Sequence, residues 1–240
     1  MHKITTNIWQ ALEQALDVRA AYLNDICKQL GLPLHGQRYL DIGSGTSANS
    51  LVFGRDFDMT YCIDLKMPKE GALFYTNVVF ALGDAQALPF RNATFDLVSL
   101  FSVIEHVEDQ EQAIYEAFRV LKPEGTLVVQ IPNRHFPVEL HSGLPSPLLL
   151  PAFVRRPLLR AFGYQRLEDI EIPSRRRMLQ LIEDSYPSAR IKEGKVVWPP
   201  AVVSKIFRGP YKVLAWLGVL RLLPLGYIFI CKKLHPQGVQ

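Results

Sequence analysis

Between Arg38 and Ile131 the sequence repeats one pattern: a short apolar run, a stop on glycine or a polar residue, and a connection. Arg38 to Ile42 runs into the turn Asp41-Ile42-Gly43-Ser44-Gly45-Thr46-Ser47-Ala48. Met59 to Ile63 closes on Asp64, Asn77 to Ala81 precedes Gly83-Asp84, Phe95 to Phe101 is followed by Ser102, and Thr126 to Ile131 stops at Pro132. Apolar runs of this length bounded by turn formers predict strands. Their interleaving with helical or short connections implies a parallel sheet.

The connections support this reading. Apolar residues at Ala113, Ile114, Ala117, Phe118 and Leu121 predict a helix over Gln110 to Leu121, closed by Pro123-Glu124-Gly125. A leading amphipathic helix over Asn7 to Leu30 ends at Gly31. Beyond Pro132 the spacing predicts a helix from Ser174 to Asp184, a strand near Arg190 to Val197, a helix near Tyr211 to Leu222 and a last strand at Tyr227 to Lys232. The expected fold class is α/β, a single domain of 240 residues divided into a leading helix (1–37), a core (38–133), insertions and late sheet elements (134–225), and a last strand and tail (226–240).

Charge and cysteine content narrow the setting. The net charge of +4 is supplied by the stretch from Arg134 to Arg177, with eight Arg against four Asp or Glu. A local cationic region suits an anionic acceptor, peripheral membrane contact through 134–225, or simply a solvated basic face. Cys27, Cys62 and Cys231 lack metal-ligand spacing and fit a reducing compartment. The N-terminus, with His2, Lys3, Trp9 and Asp17, lacks the apolar core of a secretory signal, so a cytoplasmic location is expected. Val213 to Ile230 is nearly all apolar, but Arg221, Pro224 and Gly226 interrupt it, and a helix followed by a buried strand explains these breaks better than a span does.

In open α/β sheets ligands sit beyond the carboxyl ends of the strands, so the residues that end the first four strands share one crevice. Gly43 and Gly45 lack a Cβ, and a ligand can therefore lie against their backbone. Read as Gly43-x-Gly45-x-x-Ala48 with Asp64 downstream, the turn also satisfies the dinucleotide fingerprint. Asp41 argues for a different ligand, because a carboxylate there repels a diphosphate and favours a cationic sulfonium and ammonium. Asp64 and Asp84, each able singly to cap a turn, together suit ribose hydroxyls and the amine of adenine.

Taken in order, LDIGSGTS, CIDLK, GDAQALPF and FDLVSLFSVIEHVEDQEQAIYEAFRVLKPEGTLVVQIPN resemble the motifs of the class I S-adenosylmethionine-dependent methyltransferases, over roughly residues 38 to 133. The resemblance implies a Rossmann-like, open seven-stranded, mostly parallel sheet with one antiparallel strand and helices on both faces. The implied cofactor is S-adenosyl-L-methionine. On this resemblance Asp41, Gly43 and Gly45 line its methionyl end, Asp64 binds the ribose, Asp84 and Ala85 flank the adenine, and Ser102 lies beside the sulfonium. Ser47 departs from the family, which commonly has a third glycine there.

The sulfonium carries the reactive methyl, leaving the protein to align acceptor, methyl and leaving sulfur. Transfer to oxygen of a small, lipid-like or anionic acceptor is the expected reaction, with His141 and His135 as candidate bases; His106 fits better as loop support. Leu148, Leu149, Leu150 and Phe153 mixed with Arg155, Arg156 and Arg160 suit either an acceptor cover or a helix docked on the sheet. Nucleic acid is not expected, since the basic residues are not interleaved with aromatics and Phe101-Ser102-Val103-Ile104 stands where base methylating enzymes of this fold carry a Pro-Pro-aromatic signature. Two rivals stay open: a nicotinamide-dependent oxidoreductase using Gly43, Gly45, Ala48 and Asp64, and a non-catalytic protein that recruits a partner or membrane.

Overall fold

The computed structural model describes residues 20–45, 48–67, 77–136, 153, 154, 157, 170–197 and 224–234. The leading helix, α1, is described over 20–29. It ends as expected at Gly31, whose φ of +79° lets its own N–H reach Lys28 O and that of Leu32 reach Cys27 O. Then follow β1 (Gly36–Ile42), α2 (Ala48–Phe53), β2 (Phe57–Asp64), β3 (Val78–Leu82), β4 (Phe95–Phe101), α3 (Gln110–Val120), β5 (Leu121–Pro132), α4 (Arg175–Ser185), β6 (Arg190–Val196) and β7 (Gly226–Lys232).

One seven-stranded sheet has the order β3-β2-β1-β4-β5-β7-β6. The pairs of β1 with β2 and β4, of β2 with β3 and of β4 with β5 are parallel, whereas β7 runs antiparallel to β5 and β6. Strand order reverses at β1 and β4, the place where open α/β sheets receive ligands at their carboxyl edge. Alternation along the strands builds two cores. Leu40, Ile42, Val98, Leu100, Leu127 and Val129 face α3 and α4, while Tyr39, Leu97, Phe101 and Val128 face α1 and α2.

Most expected boundaries shift by one or two residues, and the start of β5 by more. The Pro123-Glu124-Gly125 turn was expected between helix and strand, but Leu121 already pairs with Phe95, and the ladder resumes only at Thr126 opposite Leu97. The intervening residues form a bulge inside the strand, where Glu124 adopts a φ of +59° and its N–H donates to Lys233 O. The late strands stand where they were expected, and Ser174 caps α4 by accepting from Arg177 N–H at 3.1 Å. The expected helix over Tyr211 to Leu222 lies outside the described residues, among which no helix is long and apolar enough to cross a membrane.

The loop from β3 to β4 is tied down from both sides. Leu88 N–H donates to Glu116 Oε2 at 2.7 Å, and the Arg119 guanidinium binds Glu116 together with the carbonyls of Leu88 and Phe90 and the Asn92 side chain. Below it, the rings of Tyr61, Phe90 and Phe95 meet edge to face. Glu116 is 6% exposed, and its bond to Arg119 holds its carboxyl below the ordinary range despite that burial. Removing the guanidinium strands a buried carboxylate and three loop acceptors. Arg119→Ala is therefore expected to lower unfolding free energy by about 2–4 kcal/mol. Chemical denaturation checks this, and a loss below about 0.5 kcal/mol would class the pair with ordinary surface ion pairs.

Candidate active site

The turn after β1 is set by two glycines in the left-handed region, Gly43 at φ +66° and Gly45 at φ +52°. They serve different ends. A Cβ on Gly43 would lie 2.5 Å from Val103 Cγ2, so the turns after β1 and β4 touch only because that atom is missing. Among the described residues, a Cβ on Gly45 would meet nothing nearer than Gly43 O at 4.0 Å.

Three amides of the turn are spent within the protein. Gly43 N–H and Ser44 N–H both donate to Ile63 O, at 2.7 and 3.2 Å, and Gly45 N–H donates to Asp64 Oδ2 at 3.0 Å. Asp64 Oδ1 accepts Lys66 N–H at 3.1 Å, and Asp64 O accepts Gly83 N–H at 3.0 Å. The strand-end residues of β1, β2 and β3 are thus joined hand to hand. A diphosphate needs converging free amides at such a turn. Here those of Gly43, Ser44 and Gly45 already point at a carbonyl and a carboxylate.

Asp41 lies deeper than its motif suggests. Its side chain is 1% exposed, with Oδ1 accepting Ser99 Oγ–H at 2.7 Å and Oδ2 accepting the Ser50 hydroxyl of α2. Tyr39 OH shares Ser99 Oγ at 2.7 Å, completing a buried polar chain. Within the protein, the Asp41 carboxylate braces the turn from the α2 side of the sheet. Burial raises its carboxyl from the ordinary 3.8 to about 6, the hydrogen bonds from Ser50, Ser99 and Tyr39 opposing this and the charge of Asp64 adding to it.

Beyond β3, Asp84 accepts the backbone and side-chain N–H groups of Gln86 at 2.9 and 3.1 Å. The Gln86 side chain in turn accepts Asp109 N–H at 2.8 Å, which ties this loop to the start of α3. Ala85 is 8% exposed and its methyl packs in the core, so only its backbone is left to flank a ring. Ser102 follows β4 at φ +57°, its N–H donating to Gln130 O at 3.0 Å and its hydroxyl to Gln130 Oε1 at 2.9 Å. His135 is exposed beyond β5, its backbone N–H donating to Asn133 Oδ1 at 3.0 Å; His106 is also exposed, and His141 lies outside the described residues.

Reading the sequence did not single out Gln86, Ser50, Ser99 or Gln130. Ser99 and Gln130 did leave a signal, a polar side chain flanked on both sides by apolar residues of its strand. An open cleft of about 740 Å³ lies to one side, lined by Gln86, Glu108, Asp109, Arg134, Glu171 and Arg177 and not by the glycine turn. No group of His, Cys, Asp and Glu suited to a metal occurs among the described residues.

The raised Asp41 pKa has a pH signature. A carboxyl that titrates higher folded than unfolded favours folding when protonated; that contribution is complete below about pH 4 and is lost as pH rises through about 6. A shift of about two units corresponds to about 3 kcal/mol. Asp41→Asn, which keeps the shape without the charge, is expected to flatten this part of the pH profile. Thermal unfolding of both proteins between about pH 4 and 7 tests it; parallel profiles would assign the dependence to another group.

Residues 40–129 match the model of a methyltransferase domain. A ubiquinone/menaquinone biosynthesis C-methyltransferase of Roseobacter denitrificans is 33% identical over 115 residues, 42% of this chain and 46% of that protein. A demethylmenaquinone methyltransferase of Streptomyces avermitilis is 35% identical over 95 residues, 39% and 41% of the two chains. The chain thus spans less than half the length of these relatives. Among solved structures, an S-adenosylmethionine-dependent methyltransferase of Thermotoga maritima, a possible histamine N-methyltransferase, superposes with a TM-score of 0.56 at 19% identity, covering 94% of this chain and 99% of the other. Residues 40–129 are thus similar to a methyltransferase domain, and the sheet has the fold of solved S-adenosylmethionine-dependent methyltransferases.

Proposed function

We propose that this chain binds S-adenosyl-L-methionine at the glycine turn and transfers its methyl group to a small, lipid-like acceptor. The observation that carries the cofactor reading is the state of the turn amides: Gly43, Ser44 and Gly45 donate inward, while among the described residues nothing crowds the Cβ position of Gly45. That arrangement disfavours a diphosphate and leaves room for a methionyl group carrying its own ammonium donors. When bound, the cofactor would supply an electrophilic methyl on a cationic sulfur.

The residues present fit such a ligand. Asp64, an acceptor-only side chain when ionised, is half-exposed beside the turn and would take ribose hydroxyls. Leu65, 73% exposed next to it, offers apolar surface to a purine. Asp84, with Ala85 through its backbone, would flank the exocyclic amine, and Gly43, Gly45 and Ser102 would border the methionyl end. Asp41 would act from below, holding the turn in shape and adding negative potential.

For the acceptor, the activities for which the relatives are named favour carbon of a quinone-type ring over the oxygen expected from sequence. An electron-rich ring carbon needs less help from a base than a hydroxyl does. His135 and His141 remain the proposed proton acceptors, and peripheral membrane contact through 134–225 would bring a lipid-like acceptor within reach.

Titration calorimetry with S-adenosylhomocysteine and with NADH tests the cofactor: saturable binding of the first alone is expected, and of NADH alone would overturn the reading. Asp64→Ala is expected to weaken S-adenosylhomocysteine by about 10- to 100-fold, the worth of one or two charge-assisted hydrogen bonds. Incubation with a ¹³C-methyl donor and lipid extract identifies the acceptor. The carbon shift of the transferred methyl then separates attachment to carbon from attachment to oxygen.

A further inference from the structure

Ser102 occupies the left-handed region at φ +57°, a conformation that strains a residue with a Cβ and persists only where its surroundings impose it. Gln130 is the neighbour that imposes it here. Its carbonyl accepts Ser102 N–H at 3.0 Å and its side-chain Oε1 accepts Ser102 Oγ–H at 2.9 Å, so one residue of β5 holds both polar groups of the strained serine. Gln130 is 5% exposed, in register with Phe101 on one side and with Ile228 of β7 on the other. A Cβ on Gly226 would come within 3.2 Å of its Nε2, so the amide is seated against the start of β7.

The conformation of Ser102 decides where Val103 goes. Val103 is the side chain that fills the place of a Cβ on Gly43, and its carbonyl accepts His106 N–H at 2.9 Å. A chain of contacts therefore runs from Gln130 through Ser102 and Val103 to the glycine turn. We propose that Gln130 is a positioning residue for the cofactor crevice: by holding Ser102 left-handed it presses Val103 against Gly43 and so sets the shape of the turn that receives the methionyl group. Gln130 acts through Ser102 and needs no contact with the ligand. This inference rests on the cofactor assignment made above.

The test exploits glycine, which reaches φ +57° unaided. Gln130→Met keeps length and removes the amide. In the wild-type background it is expected to weaken S-adenosylhomocysteine by about 10-fold. In a Ser102→Gly background, whatever that change does by itself, adding Gln130→Met is expected to cost less than about twofold, because the constraint it supplied is no longer required. A residue that merely fills the core would lose the same factor in both backgrounds.

A second comparison holds if Gln130→Met does not fold. Ser102→Ala and Ser102→Gly delete the same hydroxyl, but alanine keeps the strain. Ser102→Ala is expected to bind several-fold more weakly than Ser102→Gly, with thermal midpoints recorded for all variants. Equal affinities for the two, or equal losses from Gln130→Met in both backgrounds, would overturn the role of Gln130 while leaving the cofactor assignment standing. Failure of the unaltered protein to bind S-adenosylhomocysteine would overturn both.

Discussion

The contact between Gly43 and Val103 is what the carboxyl edge of this sheet depends on. Two strands that part company at the switch point must still bring their following turns together, and at 2.5 Å there is no room for even one methyl group. Gly43 is required twice over, by its left-handed backbone and by the valine standing where a side chain would be. The same economy appears one layer back. A Cβ on Gly54 would lie 2.2 Å from Thr60 Oγ1, so the return from α2 to β2 is also closed by a missing atom.

Beneath this contact the interior tolerates a costly group. Asp41 is wholly buried among apolar neighbours, and Ser50, Ser99 and Tyr39 satisfy its oxygens without neutralising its charge. A neutral residue would be cheaper for stability. Retaining a carboxylate there makes sense if its field serves a cationic ligand at the turn above. The three non-glycine residues with positive φ among those described follow one rule: Ala93, Ser102 and Glu124 each donate their backbone N–H to a distant carbonyl, of Arg119, Gln130 and Lys233. Of these, Ser102 stands at the crevice and has a second bond to the same partner.

Much of the fold was legible along the chain because its signals are local. An apolar run ending on Asp64 or on Gly83-Asp84 announces a strand that stops at a ligand-binding edge, and Phe95 to Phe101 was read without a shift of boundary. Gly31 announced the end of α1 and Ser174 the start of α4, since caps act within a turn of the helix. Where the reading slipped, a distant partner had intervened. Leu121 joined β5 because Phe95 was there to pair with it.

The site divides along the same line. From the sequence alone came the identity of the glycine turn, the acidic residues that end β2 and β3, and the family they resemble, because each is a short word spelled by adjacent residues. Only the tertiary structure decided that Asp41 braces the turn from below, that the amides of Gly43, Ser44 and Gly45 are already spent, and that Gln130 accepts both hydrogen bonds of Ser102. Those facts join residues from 9 to 58 positions apart, such as Ser50 and Ser99 on Asp41, and such pairs are set by strand order and register rather than by spacing along the chain.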